Sequence, residues 1–353
     1  MSPRAPTIID VAKLAGVSIK TVSRVLNQEA GVHSETREQV LKVVAELKYR
    51  PKLSARSLAG ARSFLIGLLY YDPSAAFVAG VQQGATLRCR EAGYHLVVES
   101  LDNDAPDVEA QVERILAALR PDGMILTPPI CDNPKVLRAL REAGTPCVQM
   151  SPGQPEAGAA IVRMDEVLAA EEVTNLLISL GHRHIGFIRG AADQAASALR
   201  HQGFVQAMQA HGLETDPELV QQGDFTFRSG VEAAHQLLSR RQRPTAVFAS
   251  NDDMALGVLA AAQRLGLAVP ADLSIAGFDD SPAASLVWPP LTTVRQPVVQ
   301  MARAAVDLLI APADAEAPEP APPCVLPHQL LVRDSTSALP QPQTGRRHPP
   351  AES

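Results

Sequence analysis

The run TIIDVAKLAGVSIKTVSRVLN, residues 7–27, constrains the fold more than any other part of this chain. Two short helical stripes flank one glycine. Val11, Leu14 and Ala15 recur at helical spacing. Thr7 is placed to N-cap that helix, with Asp10 in the first turn near the positive end of the dipole. Gly16 breaks the stripe, and a tight turn between helices needs a residue that takes φ > 0 without steric cost. Ser18 is a good N-cap for a second helix with Val22, Val25 and Leu26 inward. Ser34 and Arg37 open a third helix to Leu47, with Val40, Leu41, Val44 and Leu47 on its buried side. The pattern predicts a helix-turn-helix, in which the second helix enters the major groove of DNA.

The side chains left outward suit that groove. Lys20 and Arg24 can donate to guanine O6 and N7, and Ile19 can pack on a thymine methyl. Thr21, Ser23 and Asn27 can donate to phosphates, which set register without carrying sequence information. Thr7, Ser18 and Ser34, at the helix starts, complete the expected DNA-contacting set. An ordinary αα-hairpin with a solvated face is the competing reading. The continuation YRPKLSARSLAG (49–60) weighs against it: Pro51 ends or redirects the chain, and a short helix-prone piece follows with Arg56 and Leu58, stopping at Gly60. A helix this short is marginal alone in water, so the hinge is expected to order only on DNA or in a dimer.

These two segments resemble the head and hinge of the lactose-repressor (LacI/GalR) family of transcription regulators. The resemblance implies that the hinge helices of two subunits enter the minor groove together, with a leucine from each wedged into a central base step. By motif position that residue is Leu58. Such a wedge costs a few kcal/mol of unstacking, offset by wider contact with bent DNA. Otherwise Leu58 is a linker residue packed on the body.

Charge supports a modular DNA binder. The chain carries a formal −6, yet residues 1–62 hold 11 Lys and Arg against 5 Asp and Glu, a net +6, which leaves −12 on the rest. The acidic body should be repelled by DNA. At 353 residues the chain is long enough for two or three domains, and its 46% hydrophobic residues support a large core. Cys89, Cys131, Cys147 and Cys324 are scattered and read as thiols in a reducing compartment. No zinc-ligand spacing is present, and neither metal nor cofactor is expected. With no apolar signal region and no run long enough to span a membrane, a soluble cytoplasmic protein is expected.

From residue 64 short apolar runs alternate with helical stretches. FLIGLLY (64–70), HLVVES (95–100), GMILTP (123–128) and PCVQM (146–150) read as strands. Residues 76–92, 108–120 and 134–143 read as the helices between them. The alternation restarts after Ile161, with helices at 166–180, 199–211 and 251–265 and strands at 184–190, 245–250 and 273–280. Two tandem doubly wound parallel sheets enclose a cleft, and ligands bind beyond the carboxyl ends of such strands.

The family resemblance continues through SLGHRHIGFIRG, SALRHQGF, RPTAVFASNDDMALG, IAGFDD and PPLTTVRQP, and spans residues 7–336. It implies an α/β chain with an all-α head (1–50), a hinge helix (51–62) and a two-lobed body like the periplasmic binding proteins (63–336). The chain would cross between lobes near 162, 293 and 324. That gives a first lobe of 63–162 plus 294–323 and a second of 163–293 plus 324–336. Residues 337–353 are expected to be a disordered tail. With only Leu339 and four prolines, that tail cannot form the leucine heptad helix of tetrameric relatives, so a homodimer on a palindromic operator is expected.

Polar residues at strand ends are the ligand candidates, because each sugar hydroxyl both donates and accepts. By match to the family's motifs, Asp165, Arg200, Asn251 and Asp279 fall at ligand-contacting positions, as do Phe77, Phe225 and Ser197, with the phenylalanines suited to a pyranose face. Asp72 and Asp280 lie at similar strand ends. Asn251 or Asp252 is equally placed to N-cap the next helix, and Asp280 or Ser281 the next turn. Purine-sensing relatives carry an arginine where Gln194 falls, which favours a neutral saccharide over a nucleobase.

The expected function is a DNA-binding regulator, a repressor of carbohydrate-utilisation genes controlled by a mono- or oligosaccharide. The alternatives are a relative sensing a nucleobase or phosphorylated metabolite, a solute-binding receptor, and an enzyme. Against an enzyme stand the absence of GxxxxGK[ST], GxSxG and HExxH and of a phosphate-binding GxGxxG after the first strand of the body. The adjacent Asp279 and Asp280 do not make a glycosidase pair, since neighbours on a strand face opposite ways.

Overall fold

The computed structural model describes residues 6–26, 31–49, 62–71, 74–156, 158–311 and 322–339. The chain divides into two compact units, residues 1–64 and 65–353.

In the first unit, α1 (Ile8–Leu14), α2 (Ile19–Leu26) and α3 (Ser34–Glu46) surround a small core of Val11, Ala12, Ala15, Val22, Val25, Val40, Val43 and Tyr49. Gly16 joins α1 to α2 at φ 63°. Two expected core residues are corrected. Leu14 is 59% exposed and Leu41 is 47% exposed. The inward rows are instead Ile8, Val11, Ala12 and Ala15 on α1 and Val40, Val43, Val44 and Leu47 on α3 and its end. Both follow the i, i+3, i+4, i+7 spacing of a single helical face. Asn27 and residues 50–61, with Arg56 and Leu58, lie outside the described residues.

In the second unit, six parallel strands form the first sheet, in the order β11 (Cys324–Val325), β5 (Ala160–Arg163), β4 (Cys147–Met150), β3 (Gly123–Leu126), β1 (Leu65–Tyr70), β2 (His95–Ser100). On one face lie α4 (Ala75–Ala92) and α12 (Val298–Ile310); against the other pack α5 (Val108–Leu119) and α6 (Pro134–Glu142). Gly93 ends α4 at φ 76°, as a left-handed cap.

The second sheet has four parallel strands, in the order β7 (Val220–Gln222), β6 (Ile185–Arg189), β8 (Ala246–Ala249), β9 (Ser274–Ala276). Every residue of β8 is buried, as a parallel strand covered on both faces requires. Val247 and Ala249 face α9 (Phe227–Leu238) and α10 (Asp252–Arg264). Ala246 and Phe248 face α7 (Glu166–Ser179) and α8 (Ala195–Ala210). A short α11 (Pro282–Leu286) follows β9, and β10 (Thr293–Arg295) pairs antiparallel with β12 (Gln329–Leu331).

The chain crosses between the sheets after β5, after β10 and after β11. The third crossing differs from expectation: Cys324 and Val325 pair with Val162 and Arg163, so they belong to the first sheet, and the chain leaves only beyond them. Residues 324–331 thus hold two strands, β11 in the first sheet and β12 paired with β10. The tail also begins later than expected. His182 Nε2 lies 3.1 Å from the Ser337 carbonyl, and Leu339 N–H donates to the Leu180 carbonyl at 2.9 Å, so residues 337–339 are tied to the second lobe. Asp72 and residues 340–353 lie outside the described residues.

The crossing helix α12 reaches the first lobe through Gly84 of α4. A Cβ there would sit 2.9 Å from the Ala302 Cβ and closer still to the Val299 carbonyl. Gly84→Ala is therefore expected to destabilise the body by about 1–3 kcal/mol through overpacking. Urea unfolding checks this, and an unchanged midpoint would show that the two helices can part without cost.

Candidate functional site

Two sites emerge, one in each unit. In the head, the start of α2 is set by capping. Ser18 Oγ accepts the Thr21 N–H at 3.1 Å and lies 2.9 Å from Thr21 Oγ1. Thr7 donates both its N–H and its hydroxyl to Asp10 Oδ2, each at 2.7 Å. Ile19 and Lys20 stand exposed on the first turn of α2, Thr21, Ser23 and Arg24 are half-buried, and Ser34 is exposed at the start of α3. The Arg24 guanidinium rests against Gly31, 3.1 Å from where a Cβ would lie. Lys20 is thus the basic side chain most openly presented by this helix.

In the body, a cavity lies where strands of both sheets end. Tyr71 follows β1, Pro128 follows β3 and Ser151 follows β4; across from them Gln194, Phe225, Asn251 and Asp279 follow β6, β7, β8 and β9. The cavity holds about 50 Å³ and shares Ser151, Glu166 and Ala196 with a neighbouring space of about 210 Å³. Four residues near these strand ends take left-handed backbones: Ser151 (φ 47°), Phe225 (φ 70°), Asp279 (φ 121°) and Asp280 (φ 54°). Non-glycine residues hold such conformations only where their surroundings enforce them, and they gather at functional sites.

Arg200 organises the second-lobe wall. It is 4% exposed, and its Nε donates to Glu166 Oε2 at 2.8 Å. Its Nη1 donates to the Ser250 carbonyl at 2.5 Å and lies 3.8 Å from Asp279 Oδ1. The guanidinium stacks on Phe278, 3.7 Å from the ring centre. Asp279 Oδ1 also accepts from Gln296 Nε2 at 2.5 Å. Burial pushes the Asp279 carboxyl upward, Arg200 pulls it back, and Asp252 and Glu166 add to the rise.

Five of the seven expected ligand residues line this cavity: Phe77, Arg200, Phe225, Asn251 and Asp279. Asn251 does so with both polar ends engaged. Its Oδ1 caps α10 through Met254 N–H, and its Nδ2 donates to the Phe225 carbonyl, each at 2.9 Å. The other two lie outside the cavity. Asp165 is exposed and its carboxylate accepts the Leu168 N–H at 2.9 Å, so it caps α7 and reaches only the neighbouring space. Ser197 points away from the cavity wall, donating to the Gly190 carbonyl at 3.0 Å. Of the weaker candidates, Asp280 pairs with Arg295 and Arg333; Asp252, beside the capping Asn251, is held by Ser281 and Thr293.

Residue-level reasoning misses Glu166, Ser74, Ser151 and Gln296. Glu166 is legible in one respect: when Asp and Glu open a helix together, the first caps it and the second is free to turn inward. Ser74 Oγ and Gln194 Nε2 line the cavity, are buried, and have no partner among the described residues. Buried polar groups are nearly always satisfied, so these two atoms are open to a water or to a polar group of a ligand.

Comparison with known proteins agrees with this geometry. Residues 7–52 match the model of bacterial regulatory proteins of the lacI family, and residues 174–336 match a periplasmic binding protein-like domain. The chain is 37% identical over 335 residues to the HTH-type transcriptional regulator DegA of Bacillus subtilis (strain 168), covering 94% of this chain and 98% of the relative. Among solved structures it resembles the transcriptional regulator CelR–cellobiose complex (35% identity, TM-score 0.72, 94% and 99% coverage). It also resembles the lac repressor dimer bound to operator and the anti-inducer ONPF (29% identity, TM-score 0.78, 95% and 100% coverage).

The buried pair yields a stability prediction. Arg200→Ala leaves Glu166 buried without its partner and is expected to cost about 3–5 kcal/mol, whereas the double change Glu166→Gln, Arg200→Met should cost markedly less. Chemical denaturation of both variants checks this; equal losses would mean that the guanidinium acts through packing rather than charge.

Proposed function

The chain belongs to the lacI family of bacterial regulatory proteins and is a sequence-specific DNA-binding transcription regulator, not an enzyme; we propose that it represses carbohydrate-utilisation genes under the control of a small sugar bound between its lobes. The observation that carries the sugar reading is the cavity's chemistry. A buried carboxylate, two unsatisfied polar side chains and the aromatic rings of Phe77 and Phe225 face a common space. That is the mixture of acceptors, donors and apolar faces that a polyol needs.

In this reading Phe77 and Phe225 pack against the sugar ring. Asp279 and Arg200 bond its hydroxyls, joined by Ser74 and Gln194. Asn251 shapes the wall, while Asp165 and Ser197 support it from behind. A phosphorylated effector fits less well, because Arg200 already faces Glu166 and the cavity wall holds no further Arg or Lys among the described residues. The CelR complex with cellobiose and the ribose operon repressor of Escherichia coli (strain K12) favour the same reading.

Two heads of a homodimer read a palindrome, with Ile19, Lys20 and Arg24 at base edges, Thr7, Ser18, Thr21, Ser23, Asn27 and Ser34 along the backbone, and Arg56 and Leu58 at the minor groove. The protein acts in the cytoplasm, where its operator lies. A sugar shifts operator affinity only if it binds one lobe arrangement better than the other.

Fluorescence anisotropy of the full chain on its own promoter DNA, at fixed salt with a saccharide panel, tests this. One sugar is expected to change the affinity, and the sign separates inducer from corepressor. DNA binding that no sugar alters would remove the sugar from the proposal and leave the head intact. Lys20→Ala should relax base preference at one position per half-site, at a cost of about 1–3 kcal/mol there. A uniform loss across sequences would make Lys20 a phosphate contact instead.

A further inference from the structure

The second lobe holds another cavity, of about 420 Å³, on the flank of its sheet where edge strand β7 lies beside β6. Its wall includes Arg189 at the end of β6, His201 on α8, Thr215, and Gln221 and Gln222 of β7. Among the described residues Arg189 is the one Arg or Lys in that wall, and the wall holds no carboxylate. Among the described residues none forms an ion pair with it.

Its guanidinium is only partly satisfied. Nη2 donates to His201 Nδ1 at 2.7 Å, while Nε is buried and donates to nothing among the described residues. Thr215 Oγ1 is likewise buried without a partner among them. His201 brings no compensating charge. Its ring packs against Phe187, and burial, aided by Arg189, holds its pKa down at about 4. A buried donor left unmade costs free energy, and the planar fork of arginine matches the oxygens of phosphate and carboxylate.

We propose that this cavity is a second small-molecule site, which takes the phosphate or carboxylate group of a ligand other than the cleft effector. Arg189 holds the oxyanion and Thr215 Oγ1 donates to it. The position gives such a ligand a route to the cleft. Gly190, the next residue, accepts from Ser197 and Gln222 through its carbonyl, and its Cα faces the Phe225 ring of the cleft wall. Any influence on the cleft is reciprocal: a ligand at Arg189 that alters effector affinity has its own affinity altered by the same factor.

The test uses the full chain, without sugar, titrated with inorganic phosphate, with acetate, and with chloride at matched ionic strength. NMR follows the Arg189 Nε–H resonance, identified by its loss in Arg189→Lys, and the titration midpoint of His201, identified by His201→Gln. Phosphate or acetate is expected to move the Nε–H signal along a saturating curve. Either should raise the His201 midpoint by about one pH unit, because the anion offsets the guanidinium charge. A response to phosphate alone identifies a phosphorylated ligand; an equal response to acetate identifies a carboxylate. Arg189→Gln should abolish the midpoint change, and Arg189→Lys, which keeps the charge without the fork, should retain part of it. The proposal is overturned by an unmoved signal, by a midpoint change that survives Arg189→Gln, or by an equal response to chloride, which would mean an adventitious ion only. The cleft reading is untouched by any of these outcomes, since it stands on the saccharide titration.

Discussion

A guanidinium taken out of water is the constraint around which the body is built. The cost of desolvating such an ion is several kcal/mol and is offset only by close and well-directed partners. Arg200 finds them at the ends of several elements: Glu166 at the start of α7, the Ser250 carbonyl beyond β8, Phe278 and Asp279 beyond β9. Each partner is useful only within hydrogen-bond or stacking distance. The pairing therefore fixes where those elements end relative to one another. The left-handed backbones of Phe225 and Asp279 belong to the same demand, since they place a ring and a carboxylate where regular strand geometry would not.

The head solves a smaller problem with smaller means. Its core is mainly valine and alanine, and its helices are seven, eight and thirteen residues long. Helices of that size depend on tertiary packing and on caps. Thr7 with Asp10, and Ser18 with Thr21, supply the caps from side chains that the sequence places at the helix starts. Capping therefore uses hydroxyls that would otherwise be free for phosphates, and it leaves Ile19 and Lys20 as the most exposed side chains of the groove-facing turn.

Much of this is legible in the residues themselves. The apolar runs at β1 and β8 are continuous because both faces of a parallel strand are covered, and such runs stand out. The strands β5 and β7 do not stand out. They are four and three residues long, half-exposed, and exist because a neighbouring strand supplies the ladder. In the site, Phe225 and Asp279 are legible because strand ends and family motifs coincide there, and Arg200, on α8, is legible through its motif. Asp165 lies outside this cavity because a carboxylate before a helix serves its own backbone first, and Glu166, one residue on, lines it. Leu14 and Leu41 are misplaced because leucine suggests a core wherever the spacing nearly fits, and in a core this small alanine and valine fit better.

Adjacent aspartates show how the cleft can speak to the rest of the chain. Asp279 faces the cavity and accepts from Gln296; Asp280 faces away and pairs with Arg295 and Arg333. Arg295 ends β10 and Gln296 follows it directly, where the second crossing between lobes begins before α12. The crossing is thus gripped on both sides of one strand end. A ligand hydroxyl that competes for the Asp279 carboxylate competes with Gln296, and so acts on the segment joining the lobes rather than on one lobe alone. The energy available is limited to the difference between the two arrangements, of the order of one charge-assisted hydrogen bond or about 1.5–3 kcal/mol. That is enough to change a binding equilibrium by roughly one to two orders of magnitude, which is the scale on which a small ligand must act to govern occupancy of an operator.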